Sequence, residues 1–130
     1  MRRGRTIALV SIPATPPDLA AQIGQHGPSA QLVTVTDAGR PHVVAVAVTT
    51  VEGGLSVPAG SHTRANVAVH PDVTLLWAAP AGSAYSLVVD GTATVDGETV
   101  VIRPSSALLH RAAHAPDDTP RCLSVTVPAE

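Results

Sequence analysis

Residues 30–51, AQLVTVTDAGRPHVVAVAVTTV, decide the fold. Ala30–Thr36 alternates with the two-residue period of a strand and is rich in β-branched side chains. Asp37-Ala38-Gly39-Arg40 supplies a turn in which Gly39 can take a positive φ. Pro41–Val51 follows as a longer strand, so the two runs form a hairpin. Glu52-Gly53-Gly54 turns the chain again, and Leu55-Ser56-Val57 is a third strand stopped by Pro58.

Downstream the period breaks once and then resumes. Gly60–His70 (GSHTRANVAVH) predicts a helix capped by Ser61 or Thr63 and ended by Pro71. Val73–Ala78 is a fourth strand, and Ala84–Val95 a fifth in which Gly91 marks a bulge or a close backbone approach. Asp96-Gly97 is a hairpin signal, and Glu98–Arg103 is the returning strand. Pro104–His114 reads as a helix opened by proline, and Cys122–Val127 as a last strand. Upstream, Asp18 is a good N-cap for a short helix ended by Gly24, Gly27 and Pro28, whose apolar face plugs one barrel mouth. Residues 1–17 read as a flexible N-terminal arm with a short strand at Ile7–Ile12, and residues 18–130 as a single domain. The expected fold is mainly β: a small, partly open barrel of about six antiparallel strands with short helices.

Composition narrows the function classes. The chain has 130 residues, a one-domain length, and 45% apolar residues, but no Phe, one Trp and one Tyr. Its core must use Ala, Val and Leu, and it lacks the π faces of a single-stranded nucleic-acid platform. The net charge is −2, and three of its eight basic residues (Arg2, Arg3, Arg5) crowd the N-terminus, so no basic stripe exists for a duplex. Cys122 is alone, which excludes an internal disulfide, and its Val-rich strand predicts a buried, inert thiol. Ile7–Ile12 is too short and too broken to span a bilayer. A cytoplasmic protein with no membrane and no nucleic-acid partner is expected.

Few residues carry chemistry. Gly60-Ser61-His62-Thr63-Arg64-Ala65-Asn66 is a glycine-containing loop that opens a helix, with two hydroxyls and an arginine. A helix start has unpaired N–H groups and the positive dipole end, so this segment is either a phosphate site or an ordinary cap. His110 and His114 are spaced to share a helical face, but no carboxylate motif joins them, and no metal site is expected. His42 and His70 read as surface or edge residues. No nucleophile elbow, Walker loop or Rossmann fingerprint exists.

Taken in order, LVTVTDAGRPHVVAV (32–46), GSHTRANVAVHPDVTLLW (60–77) and YSLVVDGTATV (85–95) resemble the pyridoxamine 5′-phosphate oxidase-like superfamily. These are FMN-binding split barrels, and they include deazaflavin-dependent reductases. The resemblance implies that the backbone of Val44, Ala45, Val46 and Val48 lies along the isoalloxazine, flanked by Val57 and Pro58. It gives the phosphate to Ser61, His62, Thr63 and Arg64. Asn66 matches an asparagine that orders this loop, and Ser86 falls where oxidases often carry a Gln reaching the flavin of the dimer partner. It also implies a homodimer with cofactor sites at the interface and a small-molecule substrate. Thr63 stands where the family commonly has Lys, so Arg64 must supply the charge. The Arg-x-His motif of the true oxidases has no counterpart in CLSVTVPAE (122–130). Three readings follow: an FMN-dependent oxidoreductase, a deazaflavin-dependent reductase, and a flavin carrier or barrel without cofactor. A substrate proton would come from water, Tyr85 or a histidine.

Overall fold

The computed structural model describes residues 18–128. The arm and the strand expected at Ile7–Ile12 lie outside them. Within the described residues two helices and eight strands follow in the order α1 (Leu19–His26), β1 (Ser29–Val35), β2 (Pro41–Ala47), β3 (Thr49–Val51), β4 (Gly54–Pro58), α2 (Ser61–Val69), β5 (Asp72–Trp77), β6 (Tyr85–Asp96), β7 (Thr99–Arg111) and β8 (Cys122–Val125). The strands make one antiparallel sheet ordered β2-β1-β5-β6-β7-β4-β3, with β8 also on β7. The expected mainly β split barrel is therefore present, with more strands than the sequence suggested.

The first difference is at Val48. Pro41–Val51 reads as one strand, yet it is two, β2 and β3. Val48 is buried and its N–H donates to the Pro28 carbonyl at 2.7 Å, the last bond to the start of β1. Beyond it Thr49–Val51 turn to pair with β4 instead. A β-branched run cannot disclose such a change of partner, because both halves keep the same period.

The second difference is larger. Pro104–His114 is not a helix: Thr99–Arg111 is one long strand paired along β6. The register slips between Asp90 and Gly91, where Gly91 faces Pro104 and Asp90 faces Ser106, leaving Ser105 as the extra residue. Ser105 Oγ donates to the Asp90 carbonyl at 3.1 Å, closing the bulge. The bulge also switches the buried side, from Val100 and Ile102 to Ala107 and Leu109. That broken alternation, after a proline, is what imitates a helix. Consequently His110 lies on a strand and His114 in a loop, where its Nε2 approaches the Ser83 carbonyl at 3.0 Å. They share no helical face. Cys122, opposite His110 at the edge, is exposed rather than buried.

The core is the inner face of this curled sheet. Leu32, Leu75, Trp77, Leu87, Val89, Val57, Val100 and Ile102 are fully buried there. Helix α1 covers one end as expected: Asp18 caps it through Ala21 N–H at 3.3 Å, and Leu19 and Ile23 join the core. Gly27, at φ 91°, ends it, and Gly24 lies inside it. The Trp77 indole donates to the Gly27 carbonyl at 2.9 Å, fixing the helix end to β5.

A Cβ added at Gly91 would sit 2.6 Å from the Arg103 carbonyl oxygen, a backbone atom that cannot step aside. Gly91→Ala should therefore cost about 1–3 kcal/mol or more. Gly24 meets nothing within 4 Å on a solvent-facing helical turn. Gly24→Ala should stabilise by about 0.5–1 kcal/mol. Urea titrations of the two variants should move in opposite directions. Equal effects would refute the bulge.

Candidate functional site

The residues singled out from the sequence gather mainly where β4 ends and α2 begins. Pro58 closes β4 opposite Thr99, and Ala59 N–H donates to the Glu98 carbonyl at 3.1 Å. Two residues later the chain enters α2. The expected caps Ser61 and Thr63 are not caps: the N-cap is Gly60, extended at φ −72° and ψ 174°, and no side chain closes the helix end. Glycine is accepted there because an N-cap needs extended backbone as much as a hydroxyl. The first-turn N–H groups of α2 are thus left without a side-chain acceptor, and no acidic residue stands in that turn.

Each expected phosphate contact has a distinct place. Ser61 and His62 are exposed in the first turn. Thr63 is 3% exposed and faces the core, so it can offer a ligand its backbone N–H but not a freely turned side chain. Arg64 is half-buried, and its Nη1 donates to the Ala59 carbonyl at 2.6 Å, so the guanidinium braces the loop before the helix. Asn66 is buried and its Nδ2 donates to Thr34 Oγ1 at 3.1 Å, tying α2 to β1. The resemblance implied a loop-ordering asparagine here; the bond observed joins the helix to β1.

Strand β2 provides the second wall. It pairs with β1 along one edge, and its other edge has no strand partner among the described residues, while it runs close to β4. Val44 and Val46 turn inward against the core, Ala45 outward, and Val48 is buried where the strand ends. Val57 is fully buried and can contribute only backbone, whereas Pro58 is exposed. Ser86 does not join this group. It lies two strands beyond β1 on the outer face of β6, beside Val88, while its neighbours Leu87 and Val89 point into the core.

Two further observations bear on chemistry. The Tyr85 hydroxyl donates to the Pro120 carbonyl at 2.9 Å. Burial raises its pKa above the ordinary tyrosine value, against the lowering effect of Arg111, and Cys122 adds a smaller upward push. It is held as a neutral donor to backbone. His42, inward on β2 beside Val44, has its ring Nδ1 buried with no hydrogen-bond partner. Nothing in the sequence sets it apart from an edge histidine. Gly60 was legible only as a loop glycine.

A cavity of about 380 Å³ lies elsewhere, at the far end of β4, between α1, the β3–β4 hairpin and β7. Leu19, Ile23, Val51, Leu55 and Pro104 line it. None of the residues expected to bind a cofactor does. Among the described residues no three of His, Cys, Asp and Glu come together as metal ligands, and no helix is long and apolar enough to cross a membrane.

No protein-family model matches the chain. It is 40% identical over 116 aligned positions to an uncharacterised protein of Mycobacterium bovis, spanning 76% of this chain and 80% of that one. A protein of Mycobacterium tuberculosis matches to the same extent. Among solved structures it resembles a putative pyridoxamine 5′-phosphate oxidase from Listeria innocua, with TM-score 0.55 and 19% identity over 69% of this chain and 94% of that one. An F420 reductase matches at TM-score 0.52 and 16% identity, over 61% of this chain and 87% of the reductase. The heme storage protein HutZ of Vibrio cholerae matches at 0.53 and 16%, over 68% and 91%. The chain therefore belongs to one family with the two mycobacterial proteins, and it shares its split-barrel fold with the putative pyridoxamine 5′-phosphate oxidase, the F420 reductase and HutZ.

Proposed function

We propose that this chain is a cytoplasmic, flavin-binding oxidoreductase that holds FMN between β2, the end of β4 and the start of α2. The observation that carries the reading is the uncapped start of α2. Gly60 brings no side chain to the free N–H groups, and the first turn holds Ser61 and His62 in the open with no carboxylate among them. An anion is the natural partner of such an end. FMN fits this donor set, since a phosphate would take the N–H groups and the Ser61 hydroxyl. When bound, it supplies hydride or electron transfer to a small molecule.

The protein's own part is to orient and to shield. Arg64 fixes the loop through Ala59 and leaves its other guanidinium nitrogens available to the phosphate. The edge of β2 at Val44–Ala47, which has no strand partner among the described residues, would offer backbone groups to a planar ring, with Val48 buried just beyond it and Val57 and Pro58 bounding it. Tyr85 is committed to Pro120, so a substrate proton comes from water or a histidine. The F420 reductase among the fold neighbours supports a second reading, the deazaflavin in place of FMN at the same phosphate subsite. A heme-binding neighbour is a reminder that this fold carries more than one cofactor.

The site is completed by a second copy. Val33, Val43, Leu76, Val88 and Leu108 share the outer face of the sheet, with Val43 56% and Leu76 37% exposed. Pairing two chains would cover this patch, and Ser86 stands on the same face, where it could reach the partner's cofactor.

Two measurements test these statements. Ser61→Asp puts a carboxylate where the phosphate would lie, while its charge suits the helix dipole. FMN affinity should fall at least about tenfold, roughly 1.4 kcal/mol. Phosphate-free riboflavin should bind nearly as before, and the apoprotein should gain about 0.3–1 kcal/mol. Unchanged FMN binding in a fluorescence titration would move the phosphate elsewhere. Light scattering should give twice the 13.2 kDa chain mass, and Leu76→Arg should return it to a monomer. A monomeric wild type would refute the shared site.

A further inference from the structure

We infer that Arg111 and Arg121 form a binding site for a phosphate-type dianion, inorganic phosphate or a small phosphomonoester, at the end of the β7–β8 ladder. The site is separate from the start of α2 and independent of the flavin reading. His110 and Cys122 are the last pair of that ladder, and one residue beyond them the Arg111 N–H donates to the Arg121 carbonyl at 2.7 Å. The two arginines therefore stand directly opposite each other, with their side chains on one side of the sheet. Like charges so placed repel. Among the described residues neither guanidinium has an ion-pair partner to offset that repulsion. Two cations held side by side without a carboxylate between them call for an anion from outside the chain.

The surroundings form a site rather than a bare charged surface. Both arginines line a polar cavity of about 210 Å³ under the loop that joins β7 to β8, with His110, Ala113 and Asp117. Arg111 is half-buried, and its Nη1 donates to the carbonyls of Asp117 at 2.9 Å and Thr119 at 3.2 Å. Those bonds hold the guanidinium in place and leave N–H groups on its Nε and Nη2 for a ligand. Arg121 is exposed, so its fork can turn onto the same ligand. The loop is fastened in turn: the Tyr85 hydroxyl donates to the Pro120 carbonyl at 2.9 Å, and His114 Nε2 meets the Ser83 carbonyl at 3.0 Å. A cavity already held open needs little ordering when it binds. By strand alternation Arg111 follows Leu109, and Arg121 precedes Leu123, on the inward side of the sheet. The site thus faces away from the outer apolar patch. Asp117 is the one carboxylate among the lining residues, and the two guanidinium groups outnumber it. A monocarboxylate occupies a single fork, whereas a tetrahedral dianion presents oxygens to both.

The test uses the full-length chain at constant ionic strength and mildly alkaline pH, with inorganic phosphate, glycerol 3-phosphate and acetate as probes. Amide shifts followed by NMR should saturate with both phosphates around Ala113, Asp117 and Arg121, and acetate should bind at least about tenfold more weakly. The ratio of the two phosphate affinities tells free phosphate from an ester. Arg121→Gln should weaken phosphate about tenfold and leave the apoprotein at least as stable as wild type, because the repulsion is gone. Arg121→Lys should recover part of the affinity, and Ser61→Asp should leave these shifts unchanged. Equal binding of acetate and phosphate, or undiminished phosphate affinity in Arg121→Gln, would overturn the inference. Changes confined to Ser61–Thr63 would overturn it as well and leave the flavin reading standing. So would a loss of apoprotein stability in both Arg121→Gln and Asp117→Asn, by showing that these two side chains serve each other and need no ligand.

Discussion

The bulge at Gly91 and Ser105 is the constraint on which the rest of the sheet depends. On its near side β7 pairs through residues 99–102 with β4, and on its far side through residues 107–110 with β8. One long strand thus serves two different neighbours along the same edge, and the extra residue between them lets it bend and exchange its buried face. Gly91 is required because the backbone of Arg103 approaches too closely for a side chain. Pro104 is tolerated because the slip falls at that point and relieves it of a ladder donor. The curl places β4, and therefore the start of α2, beside the edge of β2 that has no strand partner among the described residues.

How much of this was legible follows from the kind of signal each element carries. β1, the turn at Gly39 and β2 were readable because one face is buried and the period of two shows directly. Gly91 was readable because glycine inside a strand needs a reason. The helix expected at Pro104–His114 failed since its Ala-Leu-Leu run has helical propensity, and long-range pairing with β6 and β8 overrode it. The join at Val48 was hidden for a related reason: a change of partner leaves no mark on local period.

The candidate site shows the same division. Ser61 and His62 could be singled out because a loop that opens a helix has a local signature. Asn66 was singled out through the resemblance, and its bond to Thr34 ties α2 to β1. What could not be read were facts of three-dimensional environment: Thr63 turned inward, Arg64 folded onto Ala59, and the His42 nitrogen buried without a partner. At the proposed site those facts would shift the weight of anion recognition from side-chain charge to backbone N–H groups, so that the helix end, rather than any single cation, would carry the affinity.

The central claim is one of place: the ligand lies between the start of α2 and the free edge of β2, at the opposite end of β4 from the apolar cavity. Backbone amide chemical shifts, followed by NMR as FMN is added, locate it most directly. The account predicts that the largest changes fall on Ser61, His62 and Thr63 and along Val44–Val48. Changes confined to Leu19, Ile23, Val51 and Gly54, around the cavity, would contradict it.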